Sequence, residues 1–295
     1  MKPSGLYTAV VTPFTHAGEL DIPAFTRLLT HQLEGGVDGI VVCGSTGEGA
    51  TLTVHEKQQL WNVAVQHVAG KIPVIAGTGT NDTRSTIEQS LLAQRCGVDA
   101  LLLVTPYYNK PTQAGIIAHH RAVSDACALP QIIYNVPGRT GVNIVAETQI
   151  AIAKHCANVV ATKEASANLE QMCEIMRNAP EHFVLLAGDD SLALPAIACG
   201  ATGVIAVISN YAPRSFGALV HAALRGDFAA ARRLQNALMP FYKANFIETN
   251  PLPVKVIMNL LGFCTAEWRL PLVPPNDATV RTLRELFAGF TDVTP

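Results

Sequence analysis

Val159-Val160-Ala161-Thr162-Lys163-Glu164 is a short run of small and β-branched residues that leads straight into a lysine. Lysine is among the residues least often buried. Burial disfavours an ammonium, so a lysine ending an apolar strand is suited to act as a free-amine nucleophile. Such an amine can condense with a ketone to give a Schiff base. The competing reading is a strand-terminal lysine whose stem snorkels to water. The surrounding chain decides between them.

Working outward from this stretch, the same pattern repeats on both sides: an apolar run, then an amphipathic one. Strands are expected at 5–11, 38–43, 73–76, 99–104, 131–135, 158–163, 183–187 and 203–207. Helices are expected at 21–34, 55–68, 83–96, 113–126, 146–155, 168–178, 192–199 and 212–224. Continuously apolar strands are buried on both faces, which suits a parallel sheet. Eight such units predict an α/β fold, a closed (β/α)8 TIM barrel over 1–225 rather than an open sheet. Helical patterning continues at 228–243, 254–261 and 278–290, with no low-complexity linker before it. Residues 226–295 are therefore expected as a C-terminal helical appendix packed on the barrel.

Composition narrows the function classes. A chain of 295 residues with 49% hydrophobic content can bury a large core as one barrel. Net charge is −2 with both signs scattered, so the basic stripe of a nucleic-acid binder is missing. The seven cysteines (43, 96, 127, 156, 173, 199 and 264) are odd in number, widely spaced and without a CxxC pair. They read as buried thiols in a reducing compartment. Met1-Lys2-Pro3-Ser4-Gly5 has no apolar leader core, and no run approaches the roughly 18 apolar residues of a membrane span. A soluble cytoplasmic protein is expected.

In a TIM barrel the chemistry sits at the C-terminal ends of the strands. Those ends carry Gly44-Ser45-Thr46-Gly47-Glu48-Gly49, Gly77-Thr78-Gly79-Thr80-Asn81, Thr105-Pro106-Tyr107-Tyr108-Asn109, Tyr134 through Gly141, Lys163-Glu164 and Gly188-Asp189-Asp190. Each has an ordinary explanation as a turn or helix cap. Their convergence on one rim around Lys163 favours a site. Amides of the 44–49 loop, with the Ser45 and Thr46 hydroxyls, suit a carboxylate or phosphate. The GxxxxGK[ST] phosphate loop is absent, which disfavours a nucleotide. Tyr134 neighbours Lys163 and could move protons as a carbinolamine forms and loses water, or be a half-buried aromatic. Arg139, on a Pro-Gly turn, offers a fork for a carboxylate, or is a solvated loop arginine.

In order, Gly44-Ser45-Thr46-Gly47-Glu48, Tyr107-Tyr108-Asn109-Lys110-Pro111, the Tyr134–Gly141 stretch and Lys163-Glu164 resemble the pyruvate-dependent class I aldolase family, which contains dihydrodipicolinate synthases and N-acetylneuraminate lyases. The resemblance covers nearly the whole chain, through Gly188-Asp189-Asp190, 203–207 and Asn250-Pro251-Leu252-Pro253-Val254-Lys255. Arg139 and the Tyr107-Tyr108 pair resemble the synthase branch in particular. The resemblance implies that Lys163 forms a Schiff base with pyruvate and Tyr134 is the acid/base. Ser45 stands where that branch usually has threonine, and would relay protons between Tyr134 and the partner subunit's Tyr108. It further implies that Thr46 holds the pyruvate carboxylate, Arg139 holds the carboxylate of L-aspartate 4-semialdehyde, and Ile205 and Gly188 line the substrate site. A homotetramer of tight dimers and a reaction in lysine and diaminopimelate biosynthesis are implied, with no metal or organic cofactor. Lysine-sensitive members carry histidines and a glutamate in a feedback cleft. Val54, Lys57 and Ser85 stand at those positions here, with Asn81 and Tyr107 retained, which implies weak or absent inhibition by lysine. A sugar-acid lyase of the same family is the alternative, since serine at position 45 is common in sialic-acid lyase relatives. A catalytically silent binding barrel is the other, against which Lys163, Tyr134 and Tyr108 stand.

Overall fold

A computed structural model describes residues 1–292. Eight strands close into a barrel in chain order, each parallel to its neighbours: β1 (Gly5–Ala9), β2 (Gly39–Val42), β3 (Val74–Gly77), β4 (Ala100–Val104), β5 (Gln131–Asn135), β6 (Val159–Glu164), β7 (Val184–Ala187) and β8 (Gly203–Ala206). Between them run α1 (Ile22–Glu34), α2 (Val54–Val68), α3 (Thr83–Arg95), α4 (Gln113–Ala126), the short α5 (Pro137–Thr140), α6 (Ala146–His155), α7 (Leu169–Asn178) and α8 (Ala193–Ala198), with α9 (Pro213–Leu224) after β8. The fold is the expected (β/α)8 barrel.

Local chemistry sets the helix starts. Asp21, Thr53, Asp82, Thr112 and Asn168 each accept an amide from the first turn of the next helix. The first strand is shorter than the expected 5–11 because the Val11 amide leaves the ladder for Asn210 Oδ1 at 3.0 Å. The turn at Pro137 is helical rather than a plain loop.

Strand alternation makes two cores. Leu6, Ile40, Val42, Leu101, Leu103 and Ile133 face the helices, while Tyr7, Val41, Ile75, Leu102, Ile132, Leu186 and Ile205 fill the barrel. Each fully buried aliphatic side chain contributes roughly 1.5–3 kcal/mol. Behind the β1–β8 seam, Gln32 accepts from Thr8 Oγ1 at 2.6 Å and donates to the Ser209 and Asn210 carbonyls.

The β5–β6 pairing carries a bulge. Gln131 pairs with Val159, but Ile132 pairs with Ala161, so Val160 is an extra residue. A bulge re-aims every later side chain of its strand, because side chains alternate with period two. Strict alternation from outward-facing Val159 would turn Lys163 outward. The bulge instead aligns Lys163 with inward-facing Tyr134 and Leu186.

Beyond the barrel, α10 (Phe228–Ala244) packs on α9, and α11 (Leu252–Leu260) packs on α12 (Asp277–Leu286). Phe287 and Phe290 meet the Tyr211 ring edge-on at 5.1 and 5.8 Å, tying this region to the turn after β8. The last helix stops at Leu286, short of the expected 290, ahead of Gly289 in a left-handed conformation. Residues 293–295 of the expected C-terminal region lie outside the described residues.

All seven cysteines are free thiols, but they are not uniformly buried: Cys173 is exposed and Cys96 and Cys199 are half-buried. For Cys173 the apolar neighbours in sequence lie on the inner stripe of α7 (Met172 and Ile175), and the thiol falls outside it. Among the described residues no helix is long and apolar enough to cross a membrane.

Candidate functional site

Lys163 is 5% exposed, points into the barrel and stacks its amine 4.3 Å from the centre of the Tyr134 ring. The two residues are Cα partners across β5 and β6. Tyr134 is fixed through its carbonyl, which accepts both the amide and the hydroxyl of Thr105, at 3.0 and 2.9 Å. Behind the pair, on the helix side, Glu164 is fully buried. Its carboxylate accepts from Asn135 at 3.0 and 3.1 Å, Gln149 at 2.7 Å, Gln171 at 3.0 Å and the Ser166 amide at 2.9 Å. These donors come from β5, α6, α7 and the loop after β6. A buried carboxylate with its lone pairs filled by neutral donors is held rigidly, so the cage fastens the strand ends that carry Tyr134 and Lys163.

A cavity of about 530 Å³ opens at this rim, lined by Ser45, Tyr107, Tyr134 and Arg139 together with Lys57 and Asn250. The 44–49 loop turns sharply into it. Cys43 and Glu48 have positive φ, and a Cβ on either Gly49 or Gly77 would come within 2.2 or 2.4 Å of the Cys43 carbonyl oxygen. Only glycine allows that approach. Burial pushes the Cys43 thiol up to about 12, so it stays protonated.

Thr46 is buried, and its hydroxyl accepts from Asn250 Nδ2 at 3.0 Å. Arg139 is exposed on α5 and donates to the Asn250 carbonyl at 3.0 Å. Ile205 lies fully buried in the barrel interior beside Tyr7. The Gly188 amide donates to the Glu164 carbonyl at 2.8 Å, and a Cβ there would strike Ala165. Tyr108 stands apart. It is 88% exposed, on a backbone with φ of 71°, and Tyr107 rather than Tyr108 lines this chain's own cavity. A bulky residue held at positive φ is strained and persists where the structure or function requires it.

Sequence reading named several further residues without giving their contacts at the rim. Asp190 is buried and accepts the Val207 and Ile208 amides at 2.9 and 2.8 Å, which fixes the turn after β8. Burial outweighs those bonds and pushes its carboxyl up to about 6. Burial likewise raises Asp189, against the opposing pull of Lys163. Lys57 donates to Gln89 at 2.8 Å, Gln89 donates to Ser85 at 3.1 Å, and burial lowers the affinity of Lys57 for its proton. Asn250, Pro251 and Lys255 come from the C-terminal region. Lys255 is fully buried and ion-paired to Glu48 at 2.6 Å, with its amine 4.2 Å from the Phe14 ring centre. Their only sequence signal is the Asn250–Lys255 stretch that entered the resemblance.

The fold and the rim place a buried amine against a tyrosine inside a closed (β/α)8 barrel, with an arginine at the mouth. The profile of the "Dihydrodipicolinate synthetase family" matches residues 2–288. A 4-hydroxy-tetrahydrodipicolinate synthase from Pelobacter propionicus is 47% identical over 279 residues, covering 95% of this chain and 96% of that protein. One from Fervidobacterium nodosum is 48% identical over 283 residues, covering 96% and 97%. The crystal structure of the dihydrodipicolinate synthase from Aquifex aeolicus superposes with a TM-score of 0.96 at 43% identity, covering 97% of this chain and 98% of that one. The chain belongs to the dihydrodipicolinate synthetase family.

Proposed function

We propose that the protein is a 4-hydroxy-tetrahydrodipicolinate synthase, condensing pyruvate with L-aspartate 4-semialdehyde in lysine and diaminopimelate biosynthesis. The observation that carries this reading is the inward-facing amine of Lys163 against Tyr134, in a chain nearly half identical to synthases over its length. Lys163 attacks the pyruvate ketone, and Tyr134 passes protons as the carbinolamine loses water. The resulting iminium draws electrons from the methyl group, which gives up a proton to form an enamine. The enamine carbon attacks the aldehyde. The amine of the second substrate then displaces Lys163 and closes the ring. Thr46 and its loop amides bind the pyruvate carboxylate, Ser45 relays protons, Ile205 and Gly188 line the site, and Arg139 binds the aldehyde's carboxylate.

The assembly proposed is a homotetramer of tight dimers in which Tyr108 completes the partner's site. The 88% exposed ring on a strained backbone supports this, as do exposed Val54 and Leu270. A cytoplasmic location goes with the same reading.

The test is turnover of the purified protein with both substrates. Arg139→Ala is expected to lower kcat/KM for the aldehyde about 10- to 100-fold, the scale of a lost charged hydrogen bond, with pyruvate KM nearly unchanged. An unaltered aldehyde KM and rate would remove the carboxylate role. Absence of turnover, with a sugar acid cleaved to pyruvate instead, would move the protein to the lyases.

Feedback by lysine is expected to be weak. The Lys57–Gln89–Ser85 chain supplies an amine and no carboxylate to a cationic effector. Half-inhibition by lysine below about 1 mM, a modest affinity by ordinary standards, would overturn this.

A further inference from the structure

We infer that Asn250 is a positioning residue that ties the two carboxylate-binding groups, Thr46 and Arg139, into one unit and so sets the placement of the aldehyde. The inference rests on the synthase reading and concerns a residue to which that reading gives no part.

Asn250 sits between the two groups. Its side-chain Nδ2 donates to Thr46 Oγ1 at 3.0 Å, and its main-chain carbonyl accepts from Arg139 Nη2 at 3.0 Å. The residue is 5% exposed and lines the cavity together with Arg139. Its Oδ1 is buried without a partner. A buried unpaired oxygen is unfavourable, so a residue kept solely for packing gains nothing from being asparagine. The donor to Thr46 explains the residue type.

The segment is anchored at a second point. Lys255, in the first turns of α11, pairs with Glu48 at 2.6 Å, and Glu48 belongs to the same loop as Thr46. The Asn250–Lys255 segment is thus held to the loop after β2 at both ends. Arg139 rides on a short exposed helix. An exposed guanidinium samples many rotamers, and docking on a fixed carbonyl removes that freedom before the substrate arrives. The Thr46–Asn250–Arg139 chain therefore preorganises the receptor for the second carboxylate relative to the first.

The experiment is a double-substitution cycle on the full-length enzyme with Asn250→Ala and Arg139→Ala, read as KM for each substrate. Asn250→Ala keeps the main-chain carbonyl that accepts from Arg139 but cuts the side-chain bond that fixes that carbonyl to Thr46, so the docking point shifts and the aldehyde KM is expected to rise about tenfold. In the Arg139→Ala background it should raise it less than about twofold, because no guanidinium remains to be placed. A general structural weakening would give the same factor in both backgrounds, and that additive result overturns the proposal. Asn250→Leu removes the same donor while keeping the side chain's volume, and serves if Asn250→Ala folds poorly. Its effect on the aldehyde KM should also vanish when Arg139 is absent, and persistence there counts against the proposal. An unchanged aldehyde KM in Arg139→Ala alone overturns the carboxylate reading and this proposal together. A normal Arg139→Ala loss with an additive cycle overturns this proposal only.

Discussion

Lys163→Ala is expected to lower turnover by at least about 10⁴-fold, the scale of losing a covalent nucleophile, while the barrel stays folded. Among the described residues the amine makes no ion pair; it lies 4.3 Å from the centre of the Tyr134 ring. Truncation leaves a cavity, which destabilises, and removes a buried amine, which stabilises by ending its desolvation. These terms oppose each other, so the melting temperature should move by no more than about 3 °C. Borohydride added with pyruvate should label the parent on Lys163 and leave the variant unlabelled. Turnover within about tenfold of the parent, or equal labelling of the variant, would assign the chemistry to another group.

The largest loss of stability is expected from Lys255→Met. Lys255 and Glu48 are 0% and 1% exposed, and among the described residues the Glu48 carboxylate otherwise accepts only the Arg269 amide, at 3.3 Å. Removing the cation leaves a buried charge without its partner, which costs about 3–5 kcal/mol. For a chain of this size that lowers the melting temperature on the order of 10 °C. The Phe14 ring, 4.2 Å from the amine, loses its cation as well. Adding Glu48→Gln should recover part of the loss, because the uncompensated charge is then gone. A single variant that melts within about 2 °C of the parent would show that the pair is replaceable. Activity should fall further than the fraction folded, since Glu48 shares its loop with Ser45 and Thr46.

The barrel was legible because each strand is an apolar run bounded by turn residues and succeeded by a helical stripe. Helices 113–126 and 146–155 and strand 131–135 match the observed α4, α6 and β5 end for end. The rim was legible for the same reason, since a parallel barrel brings all eight strand ends to one face. Tyr134 and Lys163 stood out at the ends of apolar runs, and Ser45 and Arg139 in the turns that follow such runs. The exposure of Cys173 was not legible, because apolar neighbours in sequence do not say which helical face a residue takes. Asn250 and Lys255 carried no local signal, for their partners Thr46 and Glu48 lie 204 and 207 residues away.

The sequence by itself determined the eightfold alternation, the closed parallel barrel and the set of polar groups at its rim, because hydrophobic period and turn chemistry are local properties. Tertiary structure alone decided which of those groups meet. The extra residue Val160 in β6 turns Lys163 inward beside Tyr134, and strand pairing, not composition, creates that bulge. The C-terminal helices dock so that Asn250 and Lys255 reach the loop after β2, a result of packing between surfaces that no window of sequence contains.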